Sequence, residues 1–372
     1  MKFSIEKRDL QNHIQHLTSI TPSKNTMPIL TNYLIEASEE DNIVRFTTTD
    51  LEITVIVKIA ASVTESGKVV VSARYFNEMV ALLPDGMMYV VSEEDILKVN
   101  CEKSKFQFNC ADVSQFPLIP RIDLTDTIEV DAVMFKKMFE CTNFAIGNDI
   151  NRPVFTGICW ILYPEKQIMV ATDGKKIAEF TLHAPTELTE TVQQVVPLKG
   201  LHFLDKVIVP NQPKIKALLE SNRIMLSYGN FTIFSHIIEG RFPEYNKAIP
   251  KENNNILILD KERLKHSVKR VALLATEDTS RIKLDITEKV ISIYSLRSDE
   301  GEANDVIEDF DYQGEPIVTA FNYRFLYSIL NVIETPQVKI RFGRPSDPAI
   351  ILNTENSENY ETMYILMPLR LM

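Results

Sequence analysis

A chain of 372 residues with 45% apolar and 24% charged side chains has the makeup of an ordinary globular protein, which excludes a disordered or fibrous one. Its formal charge of −11 argues against a uniformly phosphate-binding surface, although an average can conceal a local basic patch. Four cysteines, Cys101, Cys110, Cys141 and Cys159, follow neither a zinc-ligand spacing nor a dense disulfide framework, so they are expected to be reduced and mostly buried.

The start, Met1-Lys2-Phe3-Ser4-Ile5-Glu6-Lys7-Arg8, carries charges where a signal peptide needs an apolar run, and no run of 18 apolar residues follows. A cytoplasmic protein with no membrane partner is expected. Residues 2 to 5 read as a strand, and Leu10, Ile14 and Leu17 as one face of the next helix. Three β-rich runs follow, around Leu34, Val44 and Val55, with an acidic turn from Ser38 to Asn42 between the first two. The order then recurs: Val69 to Val71 read as a strand, and Phe76, Met79, Val80 and Leu83 mark a helix face that Pro84 ends. Further strands close at Phe116-Pro117.

Downstream, Phe135, Met138, Phe139 and Thr142 mark a third helix behind a candidate N-cap, Asp131, and Leu201, Leu204 and Ile208 a fourth. Asp260 precedes a fifth, with Leu264, Val268, Val271 and Ala275, and Asn322 a sixth, with Leu326, Ile329, Leu330 and Ile333. Six helices at matching places imply a repeat, and the prolines give its period. Pro84, Pro210 and Pro336 are 126 apart, and Pro117, Pro243 and Pro368 are 126 and 125 apart. We therefore expect an α+β protein of three tandem domains, 1–122, 123–252 and 253–372, each of two units of strand, helix and strands. Proline-led polar joins at Pro120 and Pro250 suit linkers between domains.

Little in the chain points to catalysis. Thr172-Asp173-Gly174-Lys175-Lys176 lacks the earlier glycine of a phosphate-binding loop and reads as a hairpin turn between strands 167–171 and 177–182. The six histidines show no metal-protease spacing, and no Gly-x-Ser-x-Gly elbow occurs. No catalytic residue, metal ligand or cofactor is assigned. The helices carry more: Lys261, Arg263, Lys265, Lys269 and Arg270 fall between about 60° and 260° from the apolar stripe of their helix, facing away from the core. Lys136, Lys137, Lys199 and Lys206 hold similar outer positions on other helices, and Lys7 and Arg8 lie at the start of the first. A solvated face explains any one of these, but repeated basic faces could add up to a phosphate-backbone surface without sequence preference.

Four motifs together resemble the bacterial DNA sliding clamps, the β subunits of DNA polymerase III. They are Met27-Pro28-Ile29-Leu30, Val170-Ala171-Thr172-Asp173-Gly174, Gly240-Arg241-Phe242-Pro243-x-Tyr245 and Met367-Pro368-Leu369-Arg370-Leu371. The resemblance runs from Met1 to Met372. It implies three DNA-clamp domains per chain and a head-to-tail homodimer closed into a ring, helices inside and sheets outside. Twelve helices spaced ~10 Å apart would leave a lumen of ~28 Å, wide enough for a hydrated duplex.

The resemblance further implies a processivity factor for DNA replication, without catalytic residues of its own. It would slide on duplex DNA and hold the DNA polymerase III catalytic subunit, other polymerases and repair proteins through a peptide cleft. By motif, the cleft walls are Phe155, Thr172, Gly174, Lys175, Lys176, Ile177, Pro243, Lys247, Ala248, Phe325, Ile350, Met367, Pro368, Leu369, Arg370 and Leu371. Lys175 and Lys176 replace a common His-Arg pair, and Met372 is an extra residue, so partner preference is expected to differ. DNA-facing candidates are Lys24, Arg152, Lys199, Lys265, Lys269 and Arg270. At the dimer interface, Lys103, Lys105, Phe106 and Phe108 would meet Leu273, Leu274 and an acidic segment containing Asp299 and Asp305. The chain has no phosphate-binding loop, and the resemblance implies a separate clamp-loader ATPase that opens the ring. Two other readings stay open on the residues alone: a repeat-built peptide scaffold that binds no DNA, and a hydrolase with a dispersed site.

Overall fold

The structure, a computed structural model, describes residues 1–121, 127–186, 188–209, 213–275, 280–295 and 301–370. One pattern recurs six times: a strand runs directly into a helix, and three antiparallel strands follow. The first module is β1 (Lys2–Glu6), α1 (Lys7–Leu17), β2 (Asn32–Ser38), β3 (Ile43–Thr49) and β4 (Ile53–Ala60), with a short β5 (Ser62–Glu65) added. The second is β6 (Gly67–Ser72), α2 (Ala73–Leu82), β7 (Met87–Glu93), β8 (Ile96–Cys101) and β9 (Ser104–Asn109). Next come β10 (Ile128–Asp131), α3 (Ala132–Thr142), β11 (Gly157–Leu162), β12 (Gln167–Thr172) and β13 (Lys176–Leu182). The fourth holds β14 (Val192–Pro197), α4 (Leu198–Val207), β15 (Lys214–Leu219), β16 (Arg223–Tyr228) and β17 (Phe231–His236). The fifth comprises β18 (Asn255–Asp260), α5 (Lys261–Ala272), β19 (Arg281–Ile286), β20 (Ile291–Ser295) and β21 (Asn304–Ile307), with β22 (Asp311–Gln313). The last is β23 (Ile317–Asn322), α6 (Tyr323–Val332), β24 (Gln337–Phe342), β25 (Ala349–Asn353) and β26 (Tyr360–Leu366).

The helices form where apolar spacing and caps agree. Leu10, Ile14 and Leu17 are fully buried on α1, as are Phe135, Met138 and Phe139 on α3 and Leu264, Val268 and Val271 on α5. The expected cap at Asp131 holds, and Asp260 and Asn322 cap their helices as well. Asp131 Oδ1 accepts from Met134 N at 2.8 Å, Asp260 Oδ1 from Arg263 N at 2.7 Å, and Asn322 Oδ1 from Arg324 N at 2.9 Å. Ala275 lies beyond α5 and is half-buried, so it extends no helix face.

Two compact units hold these modules. Unit 1, Met1–Lys136 with Val196–Ile237, contains a five-stranded sheet, β5-β1-β7-β8-β9, and an eight-stranded one, β10-β15-β16-β17-β4-β3-β2-β6, with α1 packed on α2 and α4. Unit 2, Lys137–Val195 with Ile238–Met372, contains a nine-stranded sheet, β14-β11-β12-β13-β26-β25-β24-β18-β22, and a four-stranded one, β21-β20-β19-β23, with α5 packed on α6. Within unit 1, β17 pairs with β4, and within unit 2, β26 pairs with β13, so each long sheet takes strands from consecutive sequence repeats. Ladder pairing does not stop at a repeat boundary. The middle repeat is therefore shared between the units.

Cys101, Cys110, Cys141 and Cys159 are free thiols, three buried and Cys110 half-buried. Burial pushes Cys141 up to about 11 and Cys159 to about 12, which keeps both protonated and unreactive at neutral pH. No helix among the described residues is long and apolar enough to cross a membrane.

Candidate functional site

The implied cleft residues that the structure describes all belong to unit 2, and they assemble around the β12–β13 turn. Thr172 Oγ1 donates to the Lys176 carbonyl at 2.7 Å and accepts from Gly174 N at 3.0 Å. Asp173 Oδ1 accepts from Lys175 N at 2.8 Å and Lys176 N at 3.0 Å, so two side chains staple one tight turn. Gly174 sits at φ +86°, where a side chain is strained, and a Cβ there would also lie 3.4 Å from Arg152 Nη1. The expected hairpin is thus present, and Thr172 and Gly174 hold it closed.

Lys176 has only 5% of its surface exposed. Its ammonium is paired with Asp173 and lies 4.0 Å above the centre of the Phe325 ring, a cation–π contact that fixes the ring beside the turn. On the other side, the Arg152 guanidinium stacks 4.7 Å from the Phe155 ring and is held by Asp149. The tail following β26 passes close by: Met367 N donates to the Lys175 carbonyl at 3.0 Å and Leu369 N to the Ala320 carbonyl at 2.7 Å. Met367, Pro368 and Leu369 are half-buried and Arg370 is exposed; Leu371 lies outside the described residues.

Beneath this rim, Ile177 packs with Ile365, Phe242 and Tyr245 in an apolar cluster that Ala248 also touches, and Ile350 is buried opposite Ile365. Pro243 and Lys247 are exposed, and Lys247 pairs with Glu244. An adjoining cavity of about 930 Å³ is bounded by Lys247, Ala248 and Met367 together with residues 249–255, Arg344 and Asp347. Deeper in β13, burial raises the Glu179 carboxyl above its ordinary range. The Tyr245 hydroxyl donates to Glu179, and burial, then that carboxyl, drive the phenol upward.

Asp173, which anchors Lys176, was not among the residues expected from sequence, although an Asp-Gly pair inside a hairpin turn is the signal that would have found it. Arg152, expected to face DNA, lies against Phe155, one of the residues expected in the cleft.

The other basic candidates divide. Lys24 and Lys269 are exposed, Lys199 pairs with Asp50, Lys265 with Glu262, and Arg270 with Asp305. Three lysines of the basic helix positions are instead tied down. Lys7 is buried and paired with Asp85, Lys136 is paired with Asp205, and Lys137 with Glu334 above the Tyr360 ring. A helical wheel places Lys136 and Lys137 outward, but helix α4 and the segment after α6 bring Asp205 and Glu334 there, as the turn after α2 brings Asp85 to Lys7.

Among the interface candidates, β9 is the edge of its sheet and carries exposed Lys103, Lys105 and Phe106 with half-buried Phe108 at or beside it. β21 is likewise an edge. Asp305 lies on it, already engaged by Arg270 of its own chain, while Leu273 just past α5 is 80% exposed and Leu274 half-buried. Asp299 lies outside the described residues. Among the described residues no group of three or more His, Cys, Asp or Glu is placed to hold a metal ion.

Three family models match in succession: the N-terminal domain of the DNA polymerase III β subunit at residues 1–120, its central domain at 129–244 and its C-terminal domain at 246–370. The chain belongs to the bacterial DNA sliding clamps. The β sliding clamp of Caulobacter vibrioides is 28% identical over the full length of both chains, and that of Staphylococcus aureus is 26% identical over 94% of this chain and 95% of its own. The crystal structure of the sliding clamp from Bacillus subtilis superposes with a TM-score of 0.93 at 25% identity, covering all of both chains. Sliding clamps are non-catalytic accessory subunits of DNA polymerase III, and this one is a processivity factor for DNA replication.

Proposed function

We propose that two copies of this clamp close head to tail into a ring around duplex DNA, and that the β12–β13 turn in each copy receives the peptides of its clients. The observation that carries ring closure is a pair of open edges. Two of the three repeat junctions are continuous sheets within the chain, and β9 and β21 are each one edge of the remaining five-stranded and four-stranded sheets, whose other edges are β5 and β23. Joined across copies, β9 and β21 would make a third long sheet like the nine-stranded one. Exposed Phe106 and Leu273 would supply apolar contact, and Lys103 and Lys105 would meet Asp305 on β21, which Arg270 already shares. Lys24, Lys199, Lys265, Lys269 and Arg270 would then meet phosphates weakly, since several already share an acid, and retention would depend on topology.

The clients are the polymerase III catalytic subunit, other polymerases and repair proteins carrying a short motif with a glutamine and large apolar side chains. Phe155, Ile177, Ala248, Phe325, Ile350 and Met367 would take the apolar anchors, and a separate ATPase would open the ring. Acting on a bacterial chromosome, the protein would work in the cytoplasm. The deciding experiment loads the clamp on closed circular DNA and then linearises it. Retention on the circle and loss from free ends are expected; equal retention on both forms would refute the ring.

A further inference from the structure

The turn that builds the cleft occurs twice. In unit 1 the β3–β4 turn repeats four hydrogen bonds of the β12–β13 turn. Thr49 Oγ1 donates to the Ile53 carbonyl at 2.9 Å and accepts from Leu51 N at 3.1 Å, as Thr172 does with Lys176 and Gly174. Asp50 Oδ1 accepts from Glu52 N at 3.0 Å and Ile53 N at 2.9 Å, as Asp173 does from Lys175 and Lys176. The neighbouring strand repeats as well. His236 N donates to the Glu52 carbonyl at 3.0 Å, matching Met367 N on the Lys175 carbonyl, and Phe234 faces Thr54 as Ile365 faces Ile177.

Three positions of the turn differ in chemistry, and at one of them Ile53 takes the place of Lys176. Where the cleft has Gly174, this turn has Leu51 at φ +80°, a conformation that strains a leucine, and the side chain is nonetheless 49% exposed. Such a residue helps neither the backbone nor the core. Beside it opens a cavity of about 360 Å³ walled by Leu51, Pro120, Phe234 and His236 with Thr54, Asn222 and Ser235, and bordered by Glu52, Glu220 and Arg223. That volume falls within the range of small-ligand clefts. Where the cleft has Lys175, this turn has exposed Glu52, while Glu220 is paired with Arg223. The cleft rim, with Lys175 and Arg370, has the opposite sign.

We propose that this turn is a second peptide-docking site, for a partner segment whose apolar anchor is flanked by basic residues. Leu51, Pro120 and Phe234 receive the anchor and Glu52 the flanking charge, so the two sites of one chain sort partners by charge. The inference rests on the reading of the β12–β13 turn as a peptide cleft.

The test uses the full-length protein and two short fluorescent peptides with the same leucine-phenylalanine anchor, one flanked by lysines and one by glutamates. Leu51→Gly removes the apolar wall and suits φ +80°, so it should melt no lower than wild type. The lysine-flanked peptide should bind at least tenfold more weakly to Leu51→Gly and to Glu52→Lys, and unchanged to Phe325→Ala. An affinity unchanged by Leu51→Gly overturns the proposal, as does no binding of that peptide up to about 1 mM. Loss of both peptides only in Phe325→Ala leaves the cleft reading standing and removes this one. Binding of the glutamate-flanked peptide that survives Phe325→Ala removes the cleft reading, while Leu51→Gly still decides the second site.

Discussion

Lys176 and Phe325 show how one residue pair can shape a site. A buried ammonium needs both a counter-charge and a polarisable surface, and Asp173 and the Phe325 ring supply them. Phe325→Ala should therefore weaken a fluorescent peptide of the clamp-binding motif by about tenfold or more, because well-buried aromatic anchors dominate such interfaces. An unchanged dissociation constant in a variant that melts normally would place the partner site elsewhere. Glu179 makes a second prediction, with a definite sign. Its carboxyl is raised in the folded protein, chiefly by burial, so the fold favours the neutral acid. Its contribution is fully present below the ordinary glutamate range and is lost as pH rises through the raised folded value. Glu179→Gln keeps an acceptor for the Tyr245 hydroxyl and cannot ionise. The melting temperature of this variant should gain on wild type as pH rises above the glutamate range; a constant difference between pH 4 and 8 would contradict this account.

At the scale of elements, local chemistry sets where each module begins. Asp131, Asp260 and Asn322 each close the first turn of a helix, and Asp131 was legible as a cap because the residue type and the following apolar spacing agree. Asp260→Ala should cost about 1 kcal/mol in urea unfolding, with faster amide exchange at Glu262 and Arg263; no change in either would mean that β18 alone positions α5. The hairpin at Thr172 was equally legible, since Thr-Asp-Gly between two β-rich runs has few other solutions. Its twin at Thr49 was not, because Leu51 stands where a glycine would announce the turn. Strand register hides such a feature from any local pattern.

For the whole molecule, the period of 126 residues implied three copies, and three successive family models match them. Ring closure makes a further prediction. If exposed Leu273 and its neighbour Leu274 bind the partner copy, Leu273→Ala with Leu274→Ala should give folded monomers by light scattering at low micromolar concentration. A variant that stays dimeric would count against the β9–β21 edge. Direct binding to linear DNA should also be weak and fall steeply between about 50 and 200 mM salt, whereas clamp already loaded on circles should stay. Loss of loaded clamp from circles with that same salt dependence would mean affinity rather than topology holds it.

The sequence by itself determined the repeat, the six helices, the cap at Asp131 and the family, because each depends on short-range spacing or on motifs that survive as motifs. Only the tertiary structure decided which charges are free. Lys136 and Lys137 look exposed on a wheel, yet Asp205 and Glu334 arrive from distant segments to neutralise them, and Arg270 spends its charge on Asp305. It likewise decided that two sheets run across repeat boundaries and that Arg152 stacks on Phe155. The reason is the same throughout: a side chain's partners are set by how strands and helices far apart in the chain come to lie side by side, and no local periodicity encodes that placement.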